Sequence, residues 1–296
     1  MTLVASFRHE KTALDDDGLT FDFQSVLWED HGQYYFVRHP EETFDLEKLD
    51  KVPIPVEHLC PTWHPSLPVA LDPNPEDSYI KPPNVVYYRG DDRIAEYLLG
   101  EAHILSQLEK DQHPNIVRFR GCILTDDGLI NGLCLKLYPR TLADSIGRRV
   151  DDDFKGRTSS EHLEGLDHAD ILQGIVAGVK FIHSVGLVHN DLNPRNVMLD
   201  EFNNPIIVDF DSCKVVGTSM KGQKSFTSPW GRRNAENKAL YENDYLSLGL
   251  LELYLKGAYP PVSGPFSRKL DPEIIDHAIT TGKHLVGTAT SSVTLN

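Results

Sequence analysis

No feature restricts the folding of this chain more than the polar turn His189-Asn190-Asp191-Leu192-Asn193-Pro194-Arg195-Asn196, set between the apolar Val188 and Val197-Met198-Leu199. The Asn193-Pro194 pair favours a tight turn, because proline fixes its own φ and disfavours the helical region for the residue before it. Asp191 and Asn196 are thereby presented together. Further along, Asp209 ends the apolar run Ile206-Ile207-Val208, so a strand would deliver its carboxylate to the same place. One carboxylate to orient a hydroxyl, with an amide oxygen and a second carboxylate for hard cations, is the set that a Mg²⁺ nucleotide site needs. The bland alternative is turn chemistry, since Asp and Asn favour turns and caps in any case. The histidine and the strand-borne Asp209 at this spacing favour the site.

Composition narrows what such a site can serve. The 296 residues are 40% apolar, enough for a sizeable core in one large domain or two lobes. A formal charge of −15 repels nucleic-acid backbone and anionic lipid, so neither a nucleic acid nor a membrane surface is expected as a partner. Cys60, Cys122, Cys134 and Cys213 show no paired metal-ligand spacing and lie mostly among apolar neighbours, which predicts buried free thiols in a reducing compartment. Residues 1–8 are too weakly apolar for a signal peptide, and no run approaches a membrane span. The expected location is the cytosol, with the nucleus left open.

Along the chain, residues 1–55 mix acidic runs with one alternating segment, Gln33-Tyr34-Tyr35-Phe36-Val37, after a His31-Gly32 turn, and predict an N-terminal extension with a hairpin. Nine prolines between Pro53 and Pro83 bar that stretch from supplying central strands, so it reads as a covering loop or a lobe boundary. A helix follows in which Ile94, Tyr97, Leu98, Ile104, Leu105 and Leu108 form one stripe, and Glu101 continues it. A carboxylate on an apolar face needs a partner, and Lys81, at the end of the short strand Ser78-Tyr79-Ile80-Lys81, is the nearest candidate. Otherwise Glu101 reaches water at the edge of the stripe. Two strands around 117–124 and 133–137, joined by Asp126-Asp127-Gly128, predict a hairpin in a small antiparallel sheet. Residues 151–165 read as a surface loop. A helix capped by Asp167 or Asp170 and stopped at Gly186 leads into the polar turn. A last helix, about residues 242–256, is apolar nearly all round and predicts burial in the centre of a lobe. From Thr280 the chain turns small and polar, predicting a flexible tail at 281–296.

Taken together, these residues resemble the eukaryotic protein kinase superfamily, and within it the divergent kinase-like proteins of filamentous fungi, over roughly residues 75–260. The resemblance implies an α+β, two-lobed fold across residues 56–280. A small antiparallel-sheet N-lobe would span about 56–138, and a mainly helical C-lobe, short at its end, about 139–280. It implies ATP and Mg²⁺ as cofactors and a protein hydroxyl as acceptor. Asp191 matches the catalytic base, and Asn193 stands where a lysine steadies the transferred phosphate. Asn196 and Asp209 match the metal ligands. Lys81 and Glu101 match the ion pair that holds nucleotide phosphates, and Asp244 matches the buried aspartate that holds the catalytic loop. Leu105, His189 and Phe210 fall where the family stacks a hydrophobic spine.

The chain also departs from the pattern. No glycine-rich loop precedes Lys81. Asn190 replaces an arginine that in many kinases binds a phosphorylated activation loop, so no switch is expected by that route. Asn193 removes a positive charge beside the transferred phosphate, which lowers the expected rate. Asp211 replaces the glycine of the magnesium loop and adds negative charge near the metals. Ser225-Phe226-Thr227-Ser228-Pro229-Trp230 resembles the substrate-facing end of an activation segment, and Asn234-Ala235-Glu236 loosely resembles its close. Three functions stay open: a serine/threonine protein kinase, a pseudokinase that binds without transferring phosphate, and a kinase-like enzyme acting on a small molecule.

Overall fold

The computed structural model describes residues 1–12, 19–146, 166–221, 226–231, 236–258 and 270–288. The surface loop expected at 151–165 lies outside them, as do Ser225 of the segment expected to face substrate and Asn234 and Ala235 of its expected close.

The chain opens with three antiparallel strands, β1 (Thr2–Thr12), β2 (Leu19–Asp30) and β3 (Gln33–His39), in the order β1-β2-β3. The His31-Gly32 turn joins β2 to β3 with both residues at positive φ, 52° and 81°, the conformation that follows the twist of a two-residue hairpin. Gly32 N–H donates to the Glu29 carboxylate at 2.6 Å. The middle of β2 is buried on both faces, at Ser25, Val26, Leu27 and Trp28, as a central strand requires. The hairpin is thus where the sequence places it. The length of β1 and β2, 11 and 12 residues, goes beyond the hairpin that the sequence suggests.

Four residues of β4 (Ser78–Lys81) begin a second antiparallel region, followed by α1 (Arg93–Leu108), β5 (Phe119–Leu124) and β6 (Ile130–Lys136), with sheet order β4-β6-β5. The proline-rich stretch stays out of this sheet's interior and meets it through isolated bridges, Thr62 with Leu129 and Val69 with Cys122. Cys122 N–H donates to Pro68 C=O at 2.7 Å, so the prolines lie at an edge, where a missing donor costs nothing.

Short elements and helices fill the rest: β7 (Arg140–Thr141), α2 (Leu142–Ile146), α3 (His168–Ser184), β8 (Leu187–Val188), β9 (Val197–Leu199), β10 (Pro205–Ile207), β11 (Lys214–Val215), α4 (Tyr241–Leu255) and α5 (Pro272–Thr288). Asp167 caps α3 by accepting from the N–H groups of Ala169 and Asp170 at 2.9 and 3.1 Å, and Gly186, at φ 76°, follows its end. The α3 stripe Ile171, Ile175, Val176, Val179 and Ile182 is buried. In α4, Leu246, Leu248, Leu250, Leu251, Tyr254 and Leu255 are all buried, as expected for a helix apolar on every side.

Two expectations change at the C-terminal end. The helix expected to be last is followed by α5, and the stretch 281–296 expected as a flexible tail begins inside it, because α5 runs to Thr288. Its small residues serve close packing: a Cβ added at Gly282 would strike the carbonyl of Tyr245, and one at Gly249 the carbonyl of Ala278. Only glycine lets these backbones approach so closely.

The chain divides into two compact units. One comprises Met1–Leu71, Ile80–Gly100 and Cys122–Leu133; its core includes Leu27, Ile54, Leu59, Cys60, Tyr88 and Ile94. The other comprises Asp72–Tyr79, Glu101–Gly121 and Cys134–Asn296.

Candidate active site

The polar turn is held by a residue far along the chain. Asp244, in the first turn of α4, is fully buried and accepts from two successive backbone donors, His189 N–H through Oδ2 and Asn190 N–H through Oδ1, each at 2.9 Å. His183 Nε2 lies 2.8 Å from the same Oδ2. A buried carboxylate is costly unless it is fully hydrogen-bonded, and here three donors offset that cost. The backbone at Asn190 stands at φ 65°, a left-handed conformation that asparagine adopts more readily than most residues.

His189 is fixed at both ring nitrogens. Asp191 N–H lies 3.3 Å from Nδ1 and Val208 C=O lies 3.1 Å from Nε2, so the hydrogen-bond pattern places the proton on Nε2. Its ring meets that of Phe210 edge-on at 5.0 Å. Leu105, the third residue of the expected spine, is likewise buried.

Asp191 itself is 3% exposed, and its carboxylate is surrounded by donors. Thr227 gives its N–H to Oδ1 at 2.6 Å and its hydroxyl to Oδ2 at 3.2 Å. Asn193 Nδ2 donates to Oδ1 at 3.2 Å, and Asn196 Nδ2 to Oδ2 at 3.3 Å. The same two amides also bond the Asp191 carbonyl, at 3.0 and 2.8 Å. Asn193 Oδ1 in turn accepts from Arg195 N–H at 3.0 Å, the local turn that the Asn-Pro sequence sets up. Asn193 therefore acts on Asp191 by positioning it.

Asn196 and Asp209 come together through the backbone, because Val208 N–H donates to Asn196 C=O at 3.0 Å. Asp209 has φ 64°, and the next amide, that of Phe210, donates to Glu101 Oε1 at 3.0 Å. Glu101 is 3% exposed, so the carboxylate on the apolar stripe of α1 is buried and bonded, not turned to water. Asp211 Oδ1 accepts from Ser212 Oγ at 3.2 Å. The thiol of Cys213 is pushed well above its usual range, first by burial and then by the negative charge of Asp244. It is a neutral core residue, as are the other cysteines in kind: all four are free and buried.

Of the residues singled out from sequence, Asp191, Asn193, Asn196, Asp209, Glu101 and Asp244 all fall in the second compact unit, and Lys81, half-buried at the end of β4, in the first. Sequence reasoning missed three contributors. Thr227 lies in the segment that resembles the substrate-facing end of an activation segment, but its contact with Asp191 spans 36 residues and no local pattern shows it. His183, whose Nε2 lies 2.8 Å from Asp244 Oδ2, has no local spacing that links it to α4. Asn243 Nδ2 donates to Asn190 Oδ1 at 2.8 Å, which no local pattern announces.

A family model described as "Protein kinase domain" matches residues 85–286. Among curated relatives, serine/threonine-protein kinase PKH3 of Eremothecium gossypii is 33% identical over 115 residues, covering 34% of this chain and 15% of that protein. Serine/threonine-protein kinase pakH of Dictyostelium discoideum is 33% identical over 182 residues, covering 57% and 33%. The tyrosine-protein kinase transforming protein Fps of avian sarcoma virus is 29% identical over 170 residues, covering 55% and 29%. The chain thus spans a third or less of the length of each of these relatives. Among the described residues no helix is long and apolar enough to cross a membrane.

Proposed function

The chain belongs to the protein kinase domain family, and on that premise we propose that it transfers the γ-phosphate of Mg-ATP to a serine or threonine hydroxyl of a protein. The observation that carries this reading is the Asp191 carboxylate, buried yet held by Thr227, Asn193 and Asn196, so that one acceptor group is fixed in one orientation. Such a group orients an incoming hydroxyl and accepts its proton.

The donor set fits magnesium. Asn196 commits its Nδ2 to Asp191, which leaves its Oδ1, a hard oxygen, to join the Asp209 carboxylate. Magnesium is commonly held by one or two protein oxygens plus phosphate and water, and when bound it supplies positive charge for the phosphate oxygens. In this reading Lys81 binds the nucleotide phosphates and Glu101 orients Lys81. Glu101 also bonds Phe210 N–H, which ties α1 to the Asp209 turn.

The test pairs binding with transfer. Mg-ATP should raise the melting temperature of wild type and of Asp191→Ala alike, while ³²P transfer to the chain itself or to myelin basic protein should fall about 10²-fold or more in the variant. Unchanged transfer in Asp191→Ala would remove the assignment. Binding without transfer in wild type would point to the pseudokinase, and transfer to metabolites alone to the small-molecule enzyme.

A further inference from the structure

The first compact unit carries a side-chain cluster that phosphate transfer leaves unused, on strands that precede the matched residues 85–286. Strand register sets it up. Phe7 of β1 stands opposite Ser25 of β2, and Ser25 opposite Arg38 of β3, so the three form one row across the sheet; His9 and Phe23 stand opposite each other in the next row of the same face. Nearer the His31-Gly32 turn, Ala5, Leu27 and Phe36 form the row that joins the core of this unit. The face is therefore apolar over the core and ends in aromatic and cationic groups where the core stops.

His9 lies flat on Phe23, with ring centres 4.2 Å apart, and its Nε2 is 2.8 Å from Oγ of the buried Ser25. That bond fixes the imidazole and leaves Nδ1 to a ligand. The Arg38 guanidinium lies 5.3 Å from the ring centre of Phe23, and that of Arg89 4.3 Å from the ring centre of Phe7, close enough for each ring to attract its cation. Arg38 Nη2 donates to Arg89 C=O at 3.2 Å, while Arg89 Nη1 donates to the carbonyls of Val86 and Tyr88 at 3.3 and 2.8 Å. Each guanidinium is thus anchored through one nitrogen, with other donors left over.

Other arginines show what is unusual here. Arg93, Arg118 and Arg120 each meet a carboxylate, that of Asp91, Glu109 or Asp77. Arg38 and Arg89 meet none among the described residues, although the chain has 44 acidic residues against 29 lysines and arginines. Burial first, and the charge of Arg93 second, lower the Arg89 guanidinium from its ordinary value, a cost that a nearby anion offsets. Planar guanidinium forks match the oxygens of a phosphate group, with which they form charge-assisted hydrogen bonds. A net charge of −15 repels an extended polyanion or an anionic membrane, so a compact dianion on a peptide suits this face better.

We propose that Arg38, Arg89 and His9 form a binding site for a phosphate monoester on a phosphorylated peptide segment, through which the N-terminal sheet docks a phosphoprotein. None of the residues assigned to phosphate transfer takes part.

The test is a binding measurement on the full chain without nucleotide or Mg²⁺, so it does not depend on whether the chain transfers phosphate. Fluorescein-labelled peptide pools, randomised around a fixed phosphoserine, a fixed phosphotyrosine or the unmodified residue, are titrated by fluorescence anisotropy. At least one phosphorylated pool should bind about tenfold or more tightly than its unmodified counterpart, and inorganic phosphate should displace it. Which pool binds distinguishes an alkyl from an aryl phosphate. Arg38 is exposed, so Arg38→Gln removes a charge without opening the core, and it should weaken that binding about fivefold or more. Arg89→Lys keeps the charge and loses the fork, and it should weaken binding as well. Equal binding of modified and unmodified pools overturns the proposal. So does phosphopeptide binding that is unchanged in Arg38→Gln, which would put the phosphate elsewhere on the chain. Sedimentation with phosphatidylcholine vesicles containing phosphatidylinositol monophosphate, without binding to either phosphorylated pool, would overturn it too and make the face a lipid site.

Discussion

Asp191 and Asp244 are each tied to groups distant in sequence: Thr227 bonds the Asp191 carboxylate, and Asp244 accepts from the N–H groups of His189 and Asn190. What the sequence could not supply was the identity of the groups that face them. Asn193 looked like a lost charge, yet it bonds both the carboxylate and the carbonyl of Asp191. Asn190 looked like a lost switch, yet its amide is a cross-link. The cysteines were read correctly from their apolar neighbours, and their environment gives a pH prediction. Burial raises the Cys122 thiol from 9.0 to about 11 and Cys213 well above 9.0. At pH 8 a thiol with pKa about 11 carries about a hundredfold less thiolate than one at 9, so the native protein should leave Cys122 and Cys213 unlabelled by a disulfide reagent on a timescale that labels the unfolded chain fully. The linkage sign follows: an acid whose folded pKa is raised binds its proton more tightly in the native state, so its contribution to stability is whole below pH 9 and is lost as pH rises towards 11. Rapid labelling of either residue in the native protein would contradict this placement.

At the scale of elements, periodic segments were legible and small-residue segments were not. The stripes of α1 and α3 and the hairpin β5-β6 follow from apolar spacing that local physics alone reads. The helix α5 defeats that reading because Thr280, Thr281, Gly282, Gly287 and Thr288 have poor intrinsic helix propensity, and its packing against α4 outweighs that deficit. Gly249 and Gly282 are where the two backbones touch. Gly282→Ala places a methyl group against a backbone carbonyl, which cannot move aside as a side-chain tip can, and should destabilise the protein by about 1–3 kcal/mol or more. Gly100, in the interior of α1, has nothing within 4 Å of its added Cβ, so Gly100→Ala should stabilise by about 0.5–1 kcal/mol. Denaturant melts of the two variants should therefore move in opposite directions. A Gly282→Ala protein as stable as wild type would mean that α5 does not pack on α4 through this glycine.

At the scale of the whole molecule, the sequence suggests a boundary near residue 55, between an extension and the kinase-like domain, because the proline-rich stretch begins there. Packing in the first compact unit runs across that point. Leu27 of β2 and Ile54 share one core with Leu59, Cys60, Tyr88 and Ile94, and the ring of Phe36 meets that of Tyr88 edge-on at 5.1 Å. The Arg89 guanidinium lies 4.3 Å from the ring centre of Phe7, and Arg38 donates to Arg89 C=O at 3.2 Å. These contacts join strands distant in sequence to residues just before and within α1, and no spacing rule exposes them. Removing residues 1–55 should then leave an apolar surface in place of a core: burial of one large apolar side chain is worth about 1.5–3 kcal/mol, and Leu27 and Ile54 are lost while Leu59, Tyr88 and Ile94 are laid open. The truncated chain should melt at a markedly lower temperature, bind a hydrophobic dye such as ANS and aggregate, whereas the substitution Leu27→Ala in the full chain, a cavity without exposure, should cost about 2–5 kcal/mol and leave dye binding at the wild-type level. A truncated chain that unfolds cooperatively at the wild-type temperature would make residues 1–55 a separable extension after all, and would confine the core of the first unit to residues beyond them.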